Sequence, residues 1–156
     1  MPPFPLIPKQ LRRTTTILLG LVTLTTGGVL YLLYRTRSLL VLHLADKIGL
    51  GSTIDQLRAQ APTLHVPEWV IYSLPGGLWA AAYILIMDAV ARQLSLGKRL
   101  LLASVIPLSG ITSELLQWPG LLPGTFDIID ILCYGLPLAI YSTKLNISND
   151  IQWISR

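Results

Sequence analysis

Four runs of apolar residues, at 14–34, 77–94, 100–118 and 128–145, limit what this chain can become. Each is close to the roughly 17–25 residues needed to cross a hydrocarbon core. No water reaches the backbone there, so a spanning segment must satisfy its own amides and carbonyls, and a single segment does so as an α-helix. Composition agrees: of 156 residues, 52% are hydrophobic and 13% charged, against about 25% charged in soluble domains. The expected architecture is an all-α membrane protein, a four-transmembrane-helix bundle forming one integral membrane domain over residues 1–156.

The net charge of +4 does not point to nucleic acid. A nucleic-acid face needs its basic residues clustered, whereas here they sit at the ends of apolar runs, where they act as topology signals. Lys9, Arg12 and Arg13 precede the first run, Arg92, Lys98 and Arg99 surround the second connection, and Lys144 and Arg156 lie in the C-terminal part. The third connection has none. This pattern predicts a multi-pass protein of the plasma (inner) membrane with both termini cytoplasmic. The first connection dissents with Arg35, Arg37, Lys47 and Arg58, but it is long and counts for less. Trp69, Trp79 and Trp118 would all lie near the outer interface, where indole rings prefer to be.

The first run is longer than the roughly 7–15 residues of a cleaved signal's apolar region and is read as a retained helix. Its Gly20, Gly27 and Gly28 suit close helix contact. The outer loop, residues 35–74, is expected to carry two short helices lying at the interface, one opened by a capping box of Thr53 and Gln56. Ser73 is the expected cap of the second span, with Pro75 tolerated near its start. Cys133 is a lone cysteine inside an apolar run, which excludes an intramolecular disulfide and a cysteine zinc site. His43 and His65 stand far apart, read as packing or solvated residues. No metal and no cofactor are expected.

The chemistry concentrates in "SELLQWPGLLPGTFDIID", which carries Glu114, Gln117, Asp127 and Asp130 and no basic residue. Pro107, Gly110, Glu114 and Gln117 are spaced three, four and three, one face of the third span. Asp127, Asp130, Tyr134, Pro137 and Tyr141 continue the same rhythm on the fourth. A short connection makes the two helices antiparallel neighbours, and the expected arrangement turns both stripes toward each other or a shared cavity. A charge facing lipid at mid-helix costs about 2.5–3.5 kcal/mol. Plainer readings stand beside this one: Asp127 as a helix cap, Glu114 as a solvated helix-end residue, Asp130 and Gln117 as interhelical glue. Asp88 reads as an ordinary ion pair with Arg92 four residues on. In "LPGGLW", at the start of the second span, the glycines let a backbone or ligand approach closely. Arg35 and Arg37 are the nearest basic candidates for pairing with the acids.

The stretch "SELLQWPGLLPGTFDIIDILCYG" resembles the VanZ-like family of small multi-span membrane proteins, with Glu114, Gln117, Asp127 and Asp130 at the matching positions. "LPGGLW" is similar to an "LPDGLW" segment in related proteins. The family often has Arg where this chain has Gly124, and Asn where it has Tyr134. The resemblance implies a cell-envelope setting, with its link to antibiotic resistance, more than a reaction. The leading expectation is an acid-lined site at the outer leaflet, formed by Glu114, Gln117, Asp127, Asp130, Tyr134 and Trp79. Its partners would be membrane lipids or lipid-like envelope compounds. Two alternatives are a subunit or assembly factor with a membrane-protein partner, and an enzyme using Glu114 and Asp130 as a carboxylate pair.

Overall fold

The computed structural model describes residues 9–35, 40–60 and 66–154. Arg37 and His65 lie outside them. Among the described residues the chain is helical without strands. Its elements are α1 (Lys9–Tyr34), α2 (Leu40–Lys47), α3 (Gly51–Gln60), α4 (Glu68–Tyr72), α5 (Leu74–Val90), α6 (Leu96–Gln117) and α7 (Ile128–Ile154). Among the described residues, three segments are long and apolar enough to cross a membrane: Gln10–Tyr34, Leu96–Gln117 and Ile128–Asn146. They place the chain among multi-pass membrane proteins by length and composition.

The second apolar run departs from expectation at both ends. α5 has 17 residues, about 25 Å at 1.5 Å per residue, short of a hydrocarbon core of about 30 Å. It begins at Leu74, before the expected start, and the Ser73 side chain does not cap it. Ser73 is itself helical (φ −100°, ψ −41°), its side chain makes no capping bond, and its hydroxyl is buried without a partner. Backbone bonds pass through it, from the Ser73 amide to Trp69 O (3.0 Å) and from the Gly77 amide to Ser73 O (3.2 Å). α4 therefore leads almost directly into α5, with a jog where Pro75 lacks the donor for the preceding turn. At the other end α5 stops at Val90, because the next five residues form the turn into α6, closed by the Leu94 amide on Ala91 O at 2.9 Å. The capping box is also corrected: α3 starts at Gly51, which puts Thr53 inside the helix.

Long-range contacts define the topology. Gly20 and Gly27 of α1 sit against Ile86 and Trp79 of α5, so these two run antiparallel. Tyr83 of α5 donates to Leu102 O of α6 at 2.8 Å, again antiparallel. Gly110 of α6 meets Tyr134 of α7, while Gly76 and Gly77 of α5 meet Tyr134 and Cys133. α6 and α7 are thus antiparallel, and α5 and α7 parallel. α5 is the shared helix, contacting α1, α6 and α7. Gly28 faces open space.

Small residues set how closely these helices approach. A Cβ on Gly27 would lie 2.8 Å from the Trp79 indole, and one on Gly110 2.9 Å from the Tyr134 ring. A Cβ on Gly77 would lie 2.9 Å from the Cys133 carbonyl oxygen, the group that Pro137 leaves without its helical donor. One core cluster joins Ile84, Ala103, Tyr141 and Leu145 of α5, α6 and α7. A second joins Leu42, Ala45 and Ile54 of α2 and α3 to Leu32 of α1. Arg58 of α3 fastens that hairpin, donating to Leu32 O and Arg35 O at 2.6 Å each, two of the carbonyls a helix end leaves open. Facing outward are Leu18, Leu19 and Val22 of α1, Leu101, Val105 and Leu108 of α6, and Leu132, Leu136 and Ile140 of α7, all exposed. Apolar side chains of this density facing outward suit lipid rather than water.

Candidate functional site: an acid-lined cavity at the α6–α7 turn

The two polar stripes meet. Glu114, one turn before the end of α6, is buried at 7% exposure. Its Oε1 accepts from Gln117 Nε2 at 3.2 Å, and its Oε2 from the Asp127 amide at 3.3 Å. Glu114 therefore ties the end of α6 to the start of α7. Asp127 caps α7, its Oδ1 accepting from the Ile129 amide at 2.8 Å. One oxygen of Asp127 serves the helix start, and the residue also lines the cavity.

The connecting loop is shaped for this approach. α6 closes with a Schellman motif: the Leu121 amide bonds Leu116 O, the Gly120 amide bonds Gln117 O (both 3.0 Å), and Gly120 takes φ +75°. Gly124 has φ +141° and lies directly against the Gln117 side chain. A side chain at 124 would be strained and would displace Gln117, so this packing calls for Gly124.

Glu114, Gln117, Asp127 and Asp130 line one cavity of about 600 Å³, together with Gly124, Thr125, Phe126 and Ile129. The far wall comes from elsewhere: Arg35 at the end of α1, and Glu68, Trp69 and Tyr72 of α4. The sequence had marked Trp69 only as an interface residue, and Glu68 and Tyr72 not at all. Their one signal was closeness to the glycines of "LPGGLW", with no period linking them to α6 or α7.

Arg35 does not pair with the acids. It lies over the rings of Tyr72 and Tyr31, 4.8 and 5.6 Å from their centroids, and its Nη2 donates to Tyr72 O at 3.3 Å. Its Nε is buried with no partner. Two expected site residues are placed outside the lining. Tyr134 sits in the seat formed by Gly76 and Gly110. Trp79 packs against Gly27 and lies 5.1 Å from Tyr31, centroid to centroid. The glycines of "LPGGLW" thus admit Tyr134 and the α7 backbone. His43 is exposed on α2, and among the described residues no group of three potential ligands is placed to hold a metal.

A second polar cluster lies at the opposite end of the bundle. Asp88 of α5, 8% exposed, accepts hydrogen bonds from Arg99 Nη2 of α6 and, at 2.9 Å, from Tyr141 OH of α7. Arg92, the partner read from spacing, stands farther off at 3.8 Å and donates instead to Thr16 Oγ1 of α1 at 2.8 Å. The simple pair is thus a junction of four helices. Tyr141 shares the stripe of Asp127 but lies 14 residues on, about 21 Å along the axis, and serves this end.

Fold and site together define a class: a protein whose described residues are helical without strands and include three segments suited to crossing a membrane, with an acid-lined cavity at one end. No known family, curated protein or solved structure matches the chain.

Proposed function

We propose that this protein crosses the plasma membrane four times, with α5, lengthened by α4, as the further span, and with both termini cytoplasmic. Its cavity opens at the outer leaflet and binds or modulates a cell-envelope amphiphile, meaning a lipid headgroup, a lipid-linked sugar or a lipopeptide. One observation carries the reading: four polar side chains on two helix ends converge on a single cavity of about 600 Å³, within the roughly 300–1,000 Å³ of small-molecule sites.

The up-and-down topology supports the orientation. It gathers Arg12, Arg13, Arg92, Lys98 and Arg99 at the end away from the cavity, as the positive-inside rule asks of a cytoplasmic face. Arg35, Lys47 and Arg58 count against that orientation by number. Arg35 and Arg58 are engaged locally, one on two aromatic rings and the other on the last carbonyls of α1, which supports discounting those two. The likeness to VanZ-like proteins favours the same envelope setting, and the exposed Leu44, Ile48, Leu50 and Leu57 around α2 and α3 suit a hairpin resting at the interface.

The test uses purified protein in lipid nanodiscs and the double variant Glu114→Gln, Asp130→Asn. The double variant is expected to weaken binding of fluorescent envelope amphiphiles roughly tenfold or more, since a hydrogen bond to the Asp130 carboxylate contributes about 1.5–3 kcal/mol and Glu114→Gln removes a second negative charge from the cavity. Unchanged binding by a variant that keeps its helical content and unfolding midpoint sinks the idea.

A further inference from the structure

The cavity holds charges of both signs that do not meet. On the α6–α7 side, both oxygens of Glu114 and one of Asp127 are already occupied within the protein. Asp130 lines the cavity, and among the described residues its carboxylate makes no hydrogen bond or ion pair. On the facing side, Arg35 has five N–H donors to place. One goes to Tyr72 O, the buried Nε has no partner, and no carboxylate among the described residues lies within ion-pair distance. The rings of Tyr31 and Tyr72 hold the guanidinium in place by cation–π contact, which keeps it from swinging across to the acids.

These two charges, neither of them paired with an opposite charge among the described residues, limit what fits. A purely cationic group would satisfy Asp130, meet repulsion from Arg35 and leave its donors empty. A purely anionic group would face Glu114, Asp127 and Asp130. A head that carries both charges can offer its anion to Arg35 and its cation to Asp130, which line the same cavity. We propose that the site selects a zwitterionic head, its phosphate or carboxylate on Arg35 and its ammonium on Asp130, with phosphoethanolamine as the type. This rests on the amphiphile-site reading and names the class of head. Arg presents a planar fork suited to phosphate oxygens. A primary ammonium has N–H donors for a carboxylate, which a quaternary one lacks.

Native mass spectrometry of the protein released from phosphatidylcholine nanodiscs provides the test. Phosphatidylethanolamine, phosphatidylglycerol and a cationic trimethylammonium lipid are added in competition. Wild type is expected to retain phosphatidylethanolamine roughly tenfold better than either of the others. Arg35→Gln should erase its advantage over the cationic lipid, and Asp130→Asn its advantage over phosphatidylglycerol. If Arg35→Gln fails to fold, Arg35→Lys, which keeps the charge and loses the fork, should weaken phosphatidylethanolamine several-fold and leave the cationic lipid unchanged. Displacement by glycerophosphoethanolamine assigns recognition to the head alone, free or lipid-borne. Retention against it makes the intact lipid the occupant. Both agree with the proposal. It is overturned if the cationic lipid binds as well as phosphatidylethanolamine and the Arg35 variants leave that order unchanged. The site would then be purely acidic and the amphiphile reading would stand. If wild type holds no lipid above the matrix and the Glu114, Asp130 double variant changes nothing, the underlying reading falls as well.

Discussion

Asp88 and Asp127 show how one side chain takes different work from its surroundings. Asp127 sits at a helix start beside a cavity, where one oxygen bonds the backbone and the other is left for solvent or a ligand. Asp88 meets Arg99 of α6 and Tyr141 of α7, both donating to it, with Arg92 of the following turn 3.8 Å away. Removing the Asp88 carboxylate leaves Arg99 charged without its partner and the Tyr141 hydroxyl without its acceptor, and breaking a buried pair in this way costs about 3–5 kcal/mol. Asp88→Ala is therefore expected to lower the unfolding midpoint in detergent sharply, whereas Asp88→Asn, which can still accept from Tyr141, should lower it less. Equal and small effects for both would mean that this cluster does not hold the bundle together.

At the level of elements, proline breaks and glycines set where the helices meet. Pro107 and Pro137 each leave one carbonyl without its helical donor, and in both cases α5 lies alongside. Tyr83 donates to Leu102 O beside the first break, and Gly77 brings the α5 backbone close to Cys133 O at the second. The Tyr134 ring fills the space that Gly76 and Gly110 leave open. Gly110→Ala should cost about 1–3 kcal/mol by overpacking, because its Cβ would lie 2.9 Å from three ring carbons. Adding Tyr134→Leu should recover part of that loss, so the double variant falls short of the sum of the singles. Strict additivity in chemical or thermal unfolding would show that the two sites do not touch. α4 is the element that matters most to the site relative to its size: five residues supply three of the cavity's lining side chains.

For the whole molecule, the decisive asymmetry is between ends. One carries the acids and Arg35, the other Asp88 and its arginines, and helices of alternating direction separate them. Single cysteines in a Cys133→Ala background test how this axis lies in the membrane. Leu121, 70% exposed in the α6–α7 turn, replaced by Cys should react with an impermeant maleimide on intact cells. Gly97→Cys, at a position facing open space in the α5–α6 region, should react only after permeabilisation. The reverse pattern would put the acidic cavity in the cytoplasm and end the outer-leaflet reading.

Much of this was legible in the chain itself. Length and hydropathy of the apolar runs determine helices suited to a membrane, because a backbone in lipid has few ways to satisfy its polar groups. The three-and-four spacing from Pro107 to Gln117 and from Asp127 to Tyr141 determines two polar faces, because the period belongs to each helix alone. The short connection makes those helices neighbours, so the meeting of Glu114 with Asp127 could be read in advance. Tertiary structure decided the rest. It drew Arg35 and α4 onto the cavity, gave Asp88 the partners Arg99 and Tyr141, 11 and 53 residues away, and turned Trp79 onto α1. These depend on how near two helices come and at what height, which is set by a glycine on one meeting a ring on another. No periodicity within a single helix carries that information.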